Sequence, residues 1–495
     1  MIERPTTETA YRPVVLLMSG RALAFAGTIC IPVVLARVFD LAEFGTYKQL
    51  FLIHATLYGL AASMAESLFY FLPLARRQRG VYATNAVLVL LTAGFVGLAC
   101  LTLLDHDIAR WLGNPALSPY LWILGVYLTL TLGAAVLEIV MVSCHRYSGA
   151  ALSYGLSDVL RAVCLIVPTL WFHRLDWLLV GAVVFAGVRF SVMARYLARE
   201  FHGEIGIDPR LLGAQLAYTL PFQASAVLGI MHLSAHQYAV SARFDAATFA
   251  IYAVGCLQLP AVDLVAGPAA NVMMVQMGER RRDRRSDGVP TIWRETTRRL
   301  ALVLFPLVGC VLVSARALIL LLYTKSYEAS VPIFMLWSLM MLFAVFQIDA
   351  VLRVYAETRY LLLMHVAGLL TVVTSVGWFL STLGLPGAVL ATLLATAVAK
   401  GLGLLRVKRL LEVSTRQLLP WRSLASIGTA AASAALVALA VNTQLEMTGP
   451  GLLLVTPLVY GGTYLAILLG TDTLTEAERI ALVGWLPRSA ARQSG

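Results

Sequence analysis

Several basic side chains lie inside long apolar stretches of this sequence, and four of them are candidates for a binding site. Arg161 and Arg189 fall near the middles of two such stretches, Arg21 lies in the first stretch, and Lys400 lies near the end of another. A charge at the centre of a membrane helix costs ~2.5–3.5 kcal/mol on insertion scales, so each of these residues requires a ligand or a partner. Because guanidinium groups donate paired hydrogen bonds to phosphate and carboxylate oxygens, we predict a cationic cavity that binds an acidic ligand.

Simpler explanations remain open for two of these residues. Asp158 precedes Arg161 by three residues, which places both on one helix face, where they would neutralise each other without a ligand. Lys400 is close to the predicted end of its helix, and a lysine there can extend its ammonium group to the headgroup layer.

Carboxylates also interrupt the apolar stretches. Asp263 follows Pro260 by three residues near the middle of its stretch, so we predict that it binds and releases an ion or a proton. Pairing with an arginine is the alternative for Asp263. His54 is expected to form a hydrogen bond inside the helix bundle. The remaining intramembrane carboxylates are Glu66, Glu138, Asp158 and Asp349.

The cysteines show no pattern typical of a metal site. All 6 lie in or beside apolar stretches, and none forms a C-x-x-C pair. We therefore predict no metal site, no disulfide framework and no cofactor. The D-x-D sequence at Asp105-His106-Asp107 is the one arrangement of carboxylates suited to a divalent cation, although a single D-x-D is a weak signal.

Composition indicates that these residues belong to a membrane protein. Of 495 residues, 59% are hydrophobic and only 13% are charged, and the mean hydropathy is +0.79. Soluble domains carry ~25% charged residues. The apolar runs are continuous rather than alternating, so they predict helices and not a membrane barrel. We expect an all-α polytopic protein with about 14 transmembrane helices, the first over 13–38 and the eighth over 249–277.

Two sequence patterns occur twice. Phe39–Tyr47 reads FDLAEFGTY and Phe244–Tyr252 reads FDAATFAIY, and we call these the FD segments. Gly181-Ala182-Val183 is matched by Gly387-Ala388-Val389 at nearly the same offset. An even number of predicted spans separates the copies, so both halves enter the membrane in the same orientation. Parallel repeats of this kind are typical of transporters, which bind their substrate between the halves.

The repeat divides the chain into four regions. Two six-helix lobes cover 1–205 and 206–410, and two additional C-terminal helices cover 411–470. A tail over 471–495 contains a short amphipathic helix, which begins with a capping box formed by Thr475 and Glu478.

Basic residues are concentrated in alternate connections between the spans. If the N-terminus is cytoplasmic, the opposite side holds only Arg110, Arg174 and Lys325. The positive-inside rule then predicts that both termini are cytoplasmic and both FD segments extracytoplasmic. The basic run Arg280–Arg299 contributes to the net charge of +11 and would contact anionic headgroups, without any role for nucleic acid.

The first span and its exit resemble a known family. Ser19-Gly20-Arg21 is followed by Ala36, Arg37, Phe44, Gly45 and Tyr47, which is similar to the "aR.l….fG.y" pattern of the polysaccharide transporter branch of the multidrug/oligosaccharidyl-lipid/polysaccharide (MOP) flippase superfamily. The second half agrees through Pro221, Phe249-Ala250-Ile251-Tyr252 and Tyr327. The resemblance covers roughly 13–410, and its loose motifs specify fold better than substrate.

The resemblance implies a MOP/MATE-like fold and a Wzx-like flippase rather than an enzyme. Such proteins move an undecaprenyl-pyrophosphate-linked oligosaccharide from the cytoplasmic to the periplasmic leaflet of the bacterial inner membrane by alternating access. The product serves O-antigen (lipopolysaccharide), capsule or exopolysaccharide synthesis. The implied partners are the lipid-linked oligosaccharide, membrane lipids, and polysaccharide polymerase and export machinery.

Other classes of protein fit the sequence less well. A multidrug exporter of the same superfamily would need an acidic cavity for cationic drugs, yet the first span carries Arg21 and no carboxylate. A facilitator-type sugar transporter usually has its long basic loop between spans six and seven, whereas here that loop follows the eighth predicted span. A polytopic glycosyltransferase or polymerase using lipid-linked sugars would use the D-x-D carboxylates, but no large external domain is present to bind an acceptor.

Overall fold

The computed structural model describes residues 27, 29–75, 77–283, 288–444, 450–471, 473–476 and 478–479. Within these residues the backbone is helical and contains no strand, which confirms the all-α class. We number the main helices in chain order: α1 Ile29–Val38, α2 Leu41–Leu74, α3 Arg79–Leu103, α4 Pro115–Ser143, α5 Tyr147–Phe172, α6 Leu175–Glu200, α7 Pro209–Ser241, α8 Ala246–Gly255, α9 Ala261–Arg282, α10 Val289–Leu322, α11 Lys325–Val354, α12 Thr358–Leu383, α13 Leu385–Leu410, α14 Trp421–Gln444 and α15 Gly451–Gly470.

In the described part of the chain, 12 helices are long and apolar enough to cross a membrane. Two predicted spans account for the difference from about 14. The first, over 13–38, falls mostly outside the described residues, and the structure describes only Gly27 and α1 within it. The eighth, over 249–277, is divided near Pro260 into α8 and α9. The total of 14 therefore stays a prediction.

The two FD segments have the same local structure. Asp40 Oδ1 accepts a hydrogen bond from Glu43 N at 2.7 Å where α2 begins, and Asp245 Oδ1 accepts one from Thr248 N at 3.3 Å where α8 begins. Each aspartate satisfies a backbone donor that the first turn of a helix leaves free. Equivalent aromatic residues of the two segments are buried in the core: Phe44 and Phe249, and Tyr47 and Tyr252. The repeated sequence thus combines a helix-start signal with a packing pattern.

The repeated glycines permit close contacts between successive helices. A Cβ on Gly181 of α6 would lie 1.9 Å from the Cys164 carbonyl oxygen of α5. One on Gly387, near the start of α13, would lie 2.1 Å from the Phe379 carbonyl oxygen of α12. No side chain fits at either position, so each pair of helices approaches backbone to backbone. The two copies therefore make the same kind of contact.

The chain forms two compact units. The first comprises Met1–Val254 and Gly368–Thr392. One hydrophobic core of this unit lies among α2, α3, α4 and α6 and includes the fully buried leucines Leu68 and Leu90. The structure does not test the predicted region boundaries at 205, 410 and 470, and they stay predictions.

The second unit comprises Gly255–Ala367 and Leu393–Gly495. In it α14 and α15 pack against each other and against α10. Two tyrosines of α15 fix this contact through their hydroxyl groups. Tyr460 donates to the Ala431 carbonyl oxygen of α14, and Tyr464 donates to the Leu302 carbonyl oxygen of α10, both at 3.0 Å.

The capping box expected at the start of the tail is present. Thr475 N donates to Glu478 Oε2 at 2.9 Å, and Glu478 N donates to Thr475 Oγ1 at 3.4 Å. Glu478 also accepts a hydrogen bond at 2.5 Å from Arg298 of α10, a nearly buried arginine. These contacts attach the start of the tail to α10. Most of the amphipathic helix predicted after it lies outside the described residues.

Candidate functional site

Arg161 is paired with the aspartate that precedes it on α5. Arg161 Nη2 lies 2.8 Å from Asp158 Oδ1, and both side chains are partly exposed. The spacing of three residues places the two groups on one helix face, where such pairs form readily. The structure therefore shows the ion pair that was the alternative to ligand binding, and an acidic ligand would have to compete with Asp158 for this guanidinium.

Arg189 is paired across two helices with a carboxylate deep in the first unit. Arg189 Nη2 of α6 lies 2.6 Å from Glu138 Oε2 of α4. Ser153 Oγ of α5 donates to the other Glu138 oxygen at 2.8 Å. The side chain of Glu138 is only 3% exposed and that of Arg189 is 21% exposed. Removing one partner from such a buried pair typically costs about 3–5 kcal/mol, because the other charge is left without compensation.

The two ion pairs belong to one electrostatic group on α4, α5 and α6. The Asp158 carboxylate interacts with the charges of both Arg161 and Arg189. Two guanidinium groups and two carboxylates balance in formal charge, so these residues do not form a bare cationic pocket. An anion that binds here must share a guanidinium group with its carboxylate partner or replace that carboxylate.

Aromatic residues of α2 and α4 lie beside these charges. The His54 and Tyr127 rings stack with their centroids 4.5 Å apart, and His54 also stacks on Tyr58 at 5.9 Å. His54 Nε2 and Thr131 Oγ1 are hydrogen-bonded at 3.1 Å, as expected for an intramembrane histidine. The Arg161 charge acts on both His54 and Tyr127. The rings of His54, Tyr58 and Tyr127, each of which carries a polar group, thus lie on one side of the ion pairs.

Lys400 lies in the second unit and has a different partner. Its Nζ atom is 3.6 Å from Asp349 Oδ1, so α13 and α11 are joined by this pair. His365 of α12 interacts electrostatically with both groups and with Arg353. The structure therefore brings Arg161 and Arg189 together in one unit and places Lys400 in a separate cluster.

Two predicted site residues fall beyond what the structure describes. Arg21 lies outside the described residues. Asp263 lies on the described helix α9, but its side chain is not described. The proposed ligand contact of Arg21 and the proposed ion coupling by Asp263 stay predictions.

Both carboxylates of the D-x-D sequence already bond neighbouring side chains. Asp105 Oδ2 accepts a hydrogen bond from Ser118 Oγ at 2.5 Å, and this bond lowers the pKa of the Asp105 carboxyl group. Asp107 Oδ1 pairs with Arg110 Nη2 at 3.0 Å. Across the described residues, no group of three or more histidine, cysteine, aspartate or glutamate side chains is arranged to hold a metal ion.

Glu138 and Ser153 were not among the site residues predicted from sequence. Glu138 is 51 positions from Arg189, so no local spacing connects them. One signal was available: an intramembrane glutamate without a basic residue one turn away implies a partner on another helix.

Known structures share this architecture. The chain is similar to the lipid II flippase MurJ in an inward closed conformation, with TM-score 0.72 at 13% identity over 92% of this chain and 98% of that one. It is similar to a MATE transporter, VcmN, from Vibrio cholerae, with TM-score 0.60 at 12% identity over 82% and 97% of the two chains. A MOP superfamily transporter from Pyrococcus furiosus gives TM-score 0.57 at 14% identity over 81% and 95%. No curated protein sequence matches the chain significantly.

These similarities define a multi-pass membrane protein with the MOP superfamily fold, as the sequence resemblance implied. Within that class, the model of a protein family described as "Polysaccharide biosynthesis protein" matches residues 34–332. That match covers more than half of the chain, and the chain belongs to this family.

Proposed function

We propose that this protein is a flippase that moves an undecaprenyl-pyrophosphate-linked oligosaccharide across the bacterial inner membrane by alternating access. The family supports a role in polysaccharide biosynthesis, and the fold is one that flippases and transporters use. The glycan would serve O-antigen, capsule or exopolysaccharide assembly. In the proposed topology both termini are cytoplasmic, and the transfer runs from the cytoplasmic to the periplasmic leaflet.

The observation that carries the proposal is the coupled pair of arginines on α5 and α6. Arg161 and Arg189 each bond one carboxylate, and both interact with Asp158. A pyrophosphate presents several charged oxygens to a guanidinium group, whereas a single carboxylate presents two. A pyrophosphate can therefore replace a carboxylate as the partner without leaving the guanidinium group unpaired.

Partner exchange would also allow release. A guanidinium group with no alternative partner would hold a pyrophosphate too tightly to let it leave on the far side. Asp158 and Glu138 remain beside the arginines and can take them back. In this mechanism the carboxylates set how strongly the lipid-linked pyrophosphate is bound, and the rings of His54 and Tyr58 border the place where it binds.

The chemical fate of the substrate distinguishes this function from its rivals. Purified protein is incubated with undecaprenyl-pyrophosphate-linked oligosaccharide, and the lipid products are separated. Recovery of intact substrate is expected for a flippase. Release of free lipid pyrophosphate, or extension of the glycan, would identify a glycosyltransferase or polymerase instead. Protein-dependent export of a cationic drug, without any effect on the lipid-linked oligosaccharide, would identify a multidrug exporter.

A further inference from the structure

Buried polar side chains join the two repeats inside the first unit. Gln49 Nε2 of α2 donates to Ser241 Oγ at the end of α7 at 2.8 Å and to the Leu112 carbonyl oxygen at 3.2 Å. Asn114 Nδ2 donates to Gln49 Oε1 at 2.6 Å and to Thr46 Oγ1 at 2.9 Å. We call Thr46, Gln49, Asn114 and Ser241 the clasp. Each of the four is at most 6% exposed.

The backbone beside the clasp is in direct contact. A Cβ added to Gly45 would lie 1.8 Å from the Ala246 carbonyl oxygen. Gly45 belongs to the first FD segment and Ala246 to the second, so the two copies touch with no side chain between them. Gly113 adopts φ +63°, and a Cβ there would lie 3.3 Å from the Ser241 carbonyl oxygen. Glycine is the residue that tolerates both the left-handed conformation and the close approach.

Polar side chains that hydrogen-bond across helices are a common means of helix association in membranes. Buried amides are tolerated in the clasp because their groups bond one another. Amides and hydroxyls can exchange those bonds for bonds to water at small net cost. A contact made of them can therefore open to water and close again, whereas an opened apolar contact would expose hydrophobic surface.

We propose that the clasp is a gate that opens when the protein exposes its substrate to the extracytoplasmic side. The proposal rests on alternating access and on the topology that places both FD segments outside the cytoplasm. Opening breaks the Gln49–Ser241 hydrogen bond and separates Gly45 from Ala246. The described structure is then the state with this gate closed.

Cysteine accessibility measures the gate without any substrate. Ser241→Cys is introduced after the six native cysteines are replaced, and whole cells are treated with an impermeant maleimide. We expect slow labelling in this parent and several-fold faster labelling after Gly45→Ala, whose new methyl group cannot fit against Ala246. Gln49→Leu instead removes the hydrogen bonds that Gln49 makes in the clasp, and it should have the same effect.

Gly213→Ala is the matched control, because a Cβ on Gly213 of α7 meets no atom within 4 Å. Its labelling rate should equal that of the parent. Fast labelling of the parent itself would contradict a closed clasp. Unchanged labelling in both Gly45→Ala and Gln49→Leu, with both proteins monodisperse in detergent, would show that these contacts do not control access.

Reversible cross-linking tests whether opening is required for transport. A short bis-methanethiosulfonate reagent joins cysteines placed at Gln49 and Ser241, and a reducing agent releases them. We expect the linked protein to be inactive in lipid-linked oligosaccharide flipping and the reduced protein to recover. Flipping that continues in the linked protein would overturn the gate. If neither the linked nor the reduced protein flips this substrate, while labelling still responds to Gly45→Ala, the proposed substrate is refuted and the proposed gate is retained.

Discussion

Variants of the Glu138–Arg189 pair can show whether Arg189 only balances the charge of Glu138 or also binds the substrate. Glu138→Gln keeps the shape of the side chain and an oxygen for Ser153 but removes the negative charge. Arg189→Gln removes the positive charge and leaves Glu138 without its cation. The double variant Glu138→Gln/Arg189→Gln removes both charges and leaves two amides that can bond each other.

The exposures of the two groups predict unequal effects on stability. Glu138 is 3% exposed, so after Arg189→Gln its carboxylate has no access to water, and the loss should approach about 3–5 kcal/mol. Arg189 is 21% exposed and can hydrate its guanidinium group, so Glu138→Gln should cost less, about 1–3 kcal/mol. The double variant should regain most of the stability, because no uncompensated charge remains.

Two measurements on the same preparations, of stability and of flipping, distinguish the two roles of Arg189. Thermal unfolding in detergent should rank the proteins as wild type, double variant, Glu138→Gln and Arg189→Gln, from most to least stable. Flipping in proteoliposomes should fall in every protein that lacks Arg189, including the stable double variant. A double variant that is stable and flips at the wild-type rate would show that Arg189 only balances Glu138, and the reasoning on partner exchange would be refuted.

Three further predictions concern other charged or exposed positions. If Arg161 binds the substrate, Arg161→Gln should lower flipping and Arg161→Lys should rescue it only in part, since lysine lacks the paired donors; full recovery of folded, active protein in Arg161→Gln/Asp158→Asn would reduce Arg161 to a partner of Asp158. Single cysteines at Glu43 and Thr248 should both react with an impermeant maleimide in whole cells, because the FD segments are predicted to share one side; labelling of only one would contradict parallel repeats. Asp263→Asn should abolish gradient-driven flipping while substrate binding persists, and normal flipping at normal expression would remove Asp263 from the coupling mechanism.

Much of the fold could be predicted because its signals are local. Long apolar runs located the described spans, and the FD segments marked two equivalent helix starts, at which Asp40 and Asp245 cap the helices. The Asp158–Arg161 pair was foreseeable for the same reason, since three residues on a helix bring two side chains together. Local rules sufficed wherever the partners lie within one turn.

The rest depends on contacts between distant segments. Nothing in the spacing of Glu138 and Arg189 indicates that α4 and α6 meet at those residues. The clasp joins Gln49 to Ser241 across 192 positions, and its polar residues are ordinary in a sequence. Lys400 was grouped with the arginines by charge alone, and the structure gives it Asp349 as a partner in the other unit. Composition indicates which charged side chains need a partner, but only the packing of the helices determines which residue that partner is.

Transfer of the intact substrate across a bilayer tests the central claim most directly. Purified protein is reconstituted into liposomes that contain undecaprenyl-pyrophosphate-linked oligosaccharide in both leaflets, and an impermeant glycosidase is added outside. With active protein, the glycan of the inner leaflet should become accessible over time, while protein-free liposomes and the Glu138→Gln/Arg189→Gln variant should release only the outer-leaflet fraction. Equal release from liposomes with wild-type protein and from liposomes without it would contradict the proposed flippase.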